Sequence, residues 1–390
     1  MDKGKLLSLL TWAEINLDSL KYNIKAIKKH VGEGVQVIAV VKANAYGHGA
    51  VMIAKSALSS GAERLAVHRA EEGIALRKAG IKAPILIMGY TPVQAASEVV
   101  EYSLTPTVVT LEFAREISLK NSILKRSTSV PIHIKVDTGM GRFGLLPDEV
   151  PSFCKALEAI PGIKIEGIFT HFATADASDQ TYLRNQLATF NNVLKELKKS
   201  GTSVPMRHAC NSAATMILPE AHFDAVRPGI SIYGLNPSDE WEPPFTIHPV
   251  LSLKSRVVRI RTLPAGSCIG YGYTFTTPRA MKVALVPLGY GDGYHRILSN
   301  RGEVLIRGSR ARILGRVSMD QIVVDVDHIP SVEMEDEVVL VGRQGTEVIR
   351  AEEVAKAANT INYEVTTSLL PRVARVYILN NEIDSIERIC

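Results

Sequence analysis

The sequence predicts an α/β fold: a (β/α)8 barrel over residues 11–245, then a mostly-β domain over residues 246–390. Three observations predict it. Apolar runs alternate with helix-length amphipathic segments through the first 230 residues. Eight such pairs fit in about 240 residues, the count and length of a TIM barrel. The segment WEPPFTIHP (241–249) then separates this half from one dominated by short apolar runs and glycine turns. A doubly wound sheet is the alternative, but no glycine fingerprint follows the first strand.

Taken in order, residues 1–10 read as a frayed arm that could pack on the second domain. Lys3 and Lys5 precede an apolar run at 6–10, but Ser8 interrupts it and no small-residue cleavage pattern follows, which argues against a signal peptide. Asp18 can cap a helix carrying Leu20, Ile24, Ile27 and Val31 at helical spacing, with Leu17 and Tyr22 as a hydrophobic staple. Barrel strands are expected at 35–41, 64–67, 85–88, 105–109, 132–136, 163–169, 206–209 and 223–226. Helical segments such as 71–79 and 180–199 lie between them. The second domain should contain strands at 283–287, 304–306 and 322–326 and a short helix at 351–358.

Composition narrows the function classes. Hydrophobic residues at 46% with 22% charged residues describe a soluble globular chain. The net charge of +5 is small and dispersed, with no basic stripe to serve nucleic acid. No stretch approaches the roughly 20 apolar residues that span a bilayer. Cys154, Cys210, Cys268 and Cys390 are far apart, without metal-type spacing, as expected of a reduced cytoplasmic protein.

In a barrel, chemistry sits where strands end at their C-termini. Those ends carry Lys42, Lys135 with Asp137, His171, Asn211 with Ser212, and Arg227. A partly desolvated Lys42 would lose its proton cheaply and form a Schiff base, whereas a snorkelling lysine would do neither. Ser212 is either the cap of a helix starting at Ala213 or a phosphate ligand. Gly229 is either a plain turn or, with Ile230, a pair of amides for the same phosphate. Arg227 could instead form an ion pair with Asp224. A Schiff-base lysine with a phosphate site points to pyridoxal phosphate.

Nine segments then occur in order: AVVKANAYGHG, KVDTGMGRFG, THFATAD, NSAAT, VRPGISIYGL, GYG (270–272), GYGDG, GRVSMDQ and INYEV. On these the chain resembles the alanine racemases, fold-type III pyridoxal-phosphate enzymes, from Thr11 to Arg375. The resemblance implies a cytoplasmic homodimer with shared active sites that interconverts L-alanine and D-alanine, supplying D-alanine for peptidoglycan. It implies that Lys42 carries the cofactor and is one base. Tyr271, from the partner subunit, would be the other. Tyr46, Ser212, Gly229, Ile230 and Tyr363 would hold the phosphate, and Arg227 would face the pyridine nitrogen. His171 would link Arg227 to the Tyr271 phenol. Arg142 and the amide of Met319, which like Tyr271 would come from the partner subunit, would bind the substrate carboxylate, with Asp320 in support. Lys135 stands where many members carry a carbamate that orients the arginine. Tyr290, Tyr363, Asp176, Arg296, Arg316 and Ile361 match the substrate corridor. No metal is implied.

Ser318 stands where some members have cysteine, and Pro228 where a bulkier apolar residue is common. A serine or broader-specificity racemase shares the same motifs. A fold-type III decarboxylase usually has a Gly-rich phosphate segment, and no GGG occurs here. A non-catalytic pyridoxal-phosphate carrier resembles the barrel alone.

Overall fold

The computed structural model describes residues 6–388. The chain forms two compact units. One comprises Leu20–Ala45 and Ala50–His248; the other comprises the residues up to Ser19, Tyr46–Gly49 and the residues from Pro249 onward.

Strand β1 (Thr11–Asn16) precedes the barrel. The barrel strands are β2 (Gln36–Val40), β3 (Arg64–Val67), β4 (Ile85–Ile87), β5 (Thr105–Val108), β6 (Val130–Lys135), β7 (Ile163–Phe169), β8 (Met206–His208) and β9 (Ala225–Val226). They close in sequence order, β9 pairing in parallel with β2 through Gln36–Ala225 and Val37–Val226. Parallel strands covered on both faces need continuous apolar runs. Val37, Ile38, Ala39, Ile132 and Ile134 supply them and are fully buried. Helix Thr181–Lys199 turns Leu183, Leu187, Phe190, Val193 and Leu197 toward this core.

The second unit is built on β10 (Leu251–Arg256), β11 (Arg259–Leu263), β12 (Met281–Val286), β13 (Glu303–Ile306), β14 (Ser309–Leu314), β15 (Ile322–Asp325), β16 (Glu337–Gln344), β17 (Glu347–Ile349), β18 (Ala374–Leu379) and β19 (Glu382–Glu387). The sheet runs β11-β12-β15-β14-β13-β16-β10-β1-β18-β19, with β17 paired to β16. Ile269, Met281, Val283 and Leu314 form one apolar cluster on it. Helix Ala351–Ala358 has the bounds expected for it. A second helix, Asn362–Thr367, and several single 3-10 turns were not foreseen.

Three expectations are corrected at the N-terminus. The barrel does not begin at residue 11: β1 lies in the second unit's sheet, antiparallel to β10 and parallel to β18. Trp12, Ala13 and Ile15 are buried, on both faces of the strand, while Glu14, on the Trp12 face, accepts from Trp12 Nε1 (3.1 Å) and meets Lys254 at 2.9 Å. The arm before it is not frayed from Leu6 onward but packs on the second unit, the other course open to it, for Leu6 and Leu9 pack with Trp12, Ala374 and Val376. Asp18 is not the cap of helix Leu17–Val31. The Asn16 side chain accepts from the Ser19 amide (2.8 Å), and Asp18 accepts instead from the Asn380 amide. Cys390 lies outside the described residues. No described helix is long and apolar enough to cross a membrane.

Candidate active site

The chain leaves β2 through a left-handed turn. Ala43, Asn44, Ala45 and Tyr46 all have φ between 51° and 54°. For L-residues this conformation costs about 1–2 kcal/mol each, so the surroundings must impose it. Glu72 accepts from the Ala43 amide (2.6 Å), and the Asn44 side chain accepts from the Ala50 amide (2.8 Å). On the second unit, Tyr46 is buried with its ring 6.2 Å from that of Tyr363. Gly47 (φ 87°) approaches so closely that a Cβ would lie 2.1 Å from the Thr366 carbonyl oxygen. Strained backbone of this kind fixes the direction of the side chain at its start. That side chain is Lys42, whose pKa is lowered by burial and then by the Arg142 charge, against an opposing pull from Glu72.

Lys135 ends β6 in the same barrel mouth. Burial, then Arg142 and Arg227, bring its amine down to about 8. Its Nζ stands 5.2 Å from the Phe143 ring centroid and 5.7 Å from that of Phe169. Asp137 organises the loop beyond it. Oδ1 accepts from the amides of Gly139, Met140 and Gly141 (2.9–3.0 Å), and Oδ2 from that of Arg142 (2.9 Å). Burial alone would raise this carboxyl; the amides outweigh it and hold the pKa low. The loop ends by presenting Arg142 at the exposed rim.

After β8, Asn211 rather than Ser212 caps helix Ser212–Ile217, accepting from the Ala214 amide at 3.0 Å. This frees the Ser212 hydroxyl from capping, and it accepts from the amides of Gly229 (2.8 Å) and Ser231 (3.3 Å). A buried oxygen held between two N–H groups marks a position that suits an anion's oxygen equally well.

Arg227, 3% exposed, follows β9. Nη1 bonds to His208 Nδ1 (2.8 Å), and Nη2 donates to the carbonyls of Thr170 (2.7 Å) and Ala209 (3.0 Å). His171 Nδ1 is 3.5 Å from Nη2. Burial lowers Arg227 to about 10, which leaves it cationic at neutral pH. The alternative pairing with Asp224 fails, because Asp224 is held by Arg207 at 2.7 and 3.0 Å. His171 is pushed well below its ordinary pKa by burial, then by Arg227, Arg142, Lys135 and Lys42. Asp176, in the segment after β7, is exposed and accepts through its carbonyl from Ser238.

In the second unit, Tyr271 opens a single 3-10 turn, 71% exposed. Gly270 and Gly272 flank it with φ of 74° and 73°, and a Cβ on Gly272 would lie 2.8 Å from Arg316 Cζ. Tyr290 and Met319 are brought together by backbone: the Tyr290 amide donates to Ser318 O (3.1 Å) and the Gly291 amide to Met319 O (2.8 Å). Arg372 ties this pair of loops by bonding Asp292 (2.7 Å) and Asp320 (2.8 Å). Ile361, Arg296, Met319 and Tyr290 are all exposed. Among the described residues, no group of three or more His, Cys, Asp or Glu could hold a metal ion.

The profile described as "Alanine racemase, N-terminal domain" matches residues 15–237, and that described as "Alanine racemase, C-terminal domain" matches 250–377. An alanine racemase of Desulforamulus reducens is 47% identical over 370 residues, 94% of this chain and 98% of its own. The chain belongs to the alanine racemase family. Two solved alanine racemases agree in fold. That of Bacillus anthracis, with bound L-Ala-P, has a TM-score of 0.91 at 40% identity over 97% of both chains. That of Clostridium difficile 630 has a TM-score of 0.94 at 39% identity over 98% of this chain and 99% of its own.

The racemase contains supporting residues that motif reading passed over, and one, Asp137, that it placed at a strand end without a role. Glu72 and Asp137 shape the Lys42 and Arg142 loops, and His208 and Thr170 grip Arg227. Asp137 had a signal, since an Asp before a Gly-rich stretch tends to collect amides. His208 had another, as a polar residue on a barrel strand.

Proposed function

We propose that this racemase interconverts L-alanine and D-alanine with pyridoxal phosphate as cofactor. The observation that carries the reading is Lys42, an amine with a lowered pKa at the end of a barrel strand, in one barrel with the Ser212–Gly229–Ser231 oxygen position. The residues fit that cofactor. Two backbone amides and a hydroxyl suit a phosphate, and Arg227 keeps its Nε–H outside the hydrogen bonds described above for a ring nitrogen. Bound there, pyridoxal phosphate supplies the electron sink that makes a proton on the amino-acid Cα removable. Arg227 stays protonated, so it would donate to the ring nitrogen and disfavour a proton there, which would weaken the sink and favour return of the Cα proton.

The remaining work belongs to side chains. Lys42 handles the proton on one face of Cα, and Tyr271 of a partner copy handles it on the other. His171 helps the phenol. Its Nδ1 faces a guanidinium that can only donate, so its proton sits on Nε2, from which it can donate to a phenolate. Arg142 and the Met319 amide of a partner copy hold the carboxylate, with Asp320 fixing the Met319 loop through Arg372. Lys135, with an amine near 8, takes up carbon dioxide as a carbamate and so presents an anion to Arg142 in place of a second cation. Tyr46, Gly229, Ile230 and Tyr363 complete the phosphate site. Tyr290, Tyr363, Asp176, Arg296, Arg316 and Ile361 line the approach, and the tyrosines limit the side chain admitted to about the size of a methyl group. Exposure of Tyr271, Met319 and Ile361 supports a homodimer in which each barrel is completed by its partner. The product D-alanine serves peptidoglycan.

The test is to supply L-alanine, and separately other L-amino acids, to the purified protein with pyridoxal phosphate, and to follow inversion by chiral chromatography. D-alanine should dominate. Faster inversion of serine or a bulkier amino acid would overturn the specificity, and no inversion of any would overturn the activity.

A further inference from the structure

Beneath the barrel mouth runs a line of polar side chains of which the mechanism above uses only the last, Arg227. It starts at Arg64, the first residue of β3, which clasps Glu166 of β7 with Nη1–Oε2 at 2.8 Å and Nη2–Oε1 at 3.0 Å. Glu166 Oε2 meets His133 Nε2 at 3.2 Å, and His133 Nδ1 meets His208 Nε2 at 2.8 Å. His208 Nδ1 then meets Arg227 Nη1 at 2.8 Å. Arg64 and Glu166 are partly exposed, whereas His133, His208 and Arg227 are buried. The thread therefore joins a wetter part of the barrel to its mouth.

The fold makes room for this line. A Cβ on Gly167 would lie 2.5 Å from His133 Cε1, so only glycine leaves space for that ring. The Phe169 ring stacks on His208 at 4.8 Å and 6°, and Arg227 Cζ lies 5.1 Å from the same ring.

Chemistry at the two ends dictates the polarity of the middle. A guanidinium has donors and no acceptor, so the His208 Nδ1 that faces it is a lone pair. A carboxylate only accepts, so the His133 Nε2 that faces it carries a proton. Neutral imidazoles satisfy every link only when both histidines hold their proton on Nε2: Arg227 donates to His208, His208 to His133, and His133 to Glu166. A second proton on either ring would set two donors against each other. Burial and, for His208, the Arg227 charge keep both rings below their ordinary pKa. Glu166 is held at about 2, first by its bond to His133 and then, against burial, by Arg64.

We propose that Glu166, through His133 and His208, is a positioning residue for Arg227. The relay presents Arg227 with a lone pair made more basic by a carboxylate two rings away, which fixes which guanidinium edge faces the barrel mouth. Hydrogen bonds in such a chain polarise one another, so loss of the carboxylate charge should be felt at Arg227. The catalytic consequence rests on the reading of Arg227 as the partner of the cofactor ring; the polarity of the relay does not.

The test uses the holoenzyme labelled with 15N-histidine. In the wild type, His133 and His208 should each show a protonated Nε2 and an unprotonated Nδ1 from pH 6 to 8. A proton on His208 Nδ1 overturns the proposal without any substitution being needed. In Glu166→Gln the His208 Nδ1 resonance should move, and the kcat–pH profile should shift by about one unit with KM within about twofold. In a His208→Gln background, where the path is cut, Glu166→Gln should shift the profile no further. A Glu166→Gln protein with a lower Tm but an unmoved resonance and profile would make Glu166 merely structural. The NMR readings hold whether or not alanine is the substrate.

Discussion

Acid sensitivity follows from single residues. His133, His171 and His208 are all held below their ordinary value of 6.5, mainly by burial. Below about pH 6.5 the unfolded chain takes up protons that the folded chain refuses, so stability falls as pH drops, by up to about 1.4 kcal/mol per unit for each ring. Glu166 acts in the same direction at lower pH. Its folded pKa of about 2 lies below the ordinary 4.5, so its contribution is present above pH 4.5 and is lost toward pH 2. The urea midpoint should therefore decline steadily from pH 7 to pH 4. A flat profile between pH 6.5 and 5 would mean that these imidazoles are not held neutral.

At the scale of elements, strain and close approach decide where side chains point. The left-handed turn after β2 holds four non-glycine residues at positive φ. Ala43 is exposed, so Ala43→Gly removes conformational cost there without removing a contact. The variant should keep its stability or gain about 1 kcal/mol at most, yet turn over more slowly because Lys42 is less firmly aimed. Unchanged kcat would show that the turn's strain does not serve the site. This turn was not legible in KANAY, since alanine carries no preference for positive φ; only the following glycines announced a bend. The barrel strands were legible because a strand covered on both faces must be apolar throughout. Strand β1 was assigned to the wrong unit for a related reason. Its short apolar run marks a strand, but its partners β10 and β18 are remote in sequence. At Asn211–Ser212, two adjacent residues are both good caps, and only packing decides that the asparagine caps while the serine hydroxyl reaches the amides of Gly229 and Ser231. The His133–His208 relay went unread because each histidine alone resembles an ordinary core imidazole.

For the whole molecule, the residues proposed for the site are divided between the two units of the chain. Lys42, Lys135, Arg142, His171, Ser212 and Arg227 belong to the barrel unit, and Tyr271, Met319 and Asp320 to the other. The motifs made this division legible through the family resemblance, whereas composition and periodicity alone would have yielded only a barrel and a β domain. If each active site draws its second base from a partner copy, two inactive variants can restore one another. The decisive measurement is racemisation of L-alanine by a hybrid dimer of Lys42→Ala and Tyr271→Ala chains, co-expressed with different tags and purified through both. One of its two sites then contains both defects and the other neither, so the hybrid should recover about half of the wild-type activity per dimer. A hybrid no more active than its two parent variants would contradict a shared two-base site.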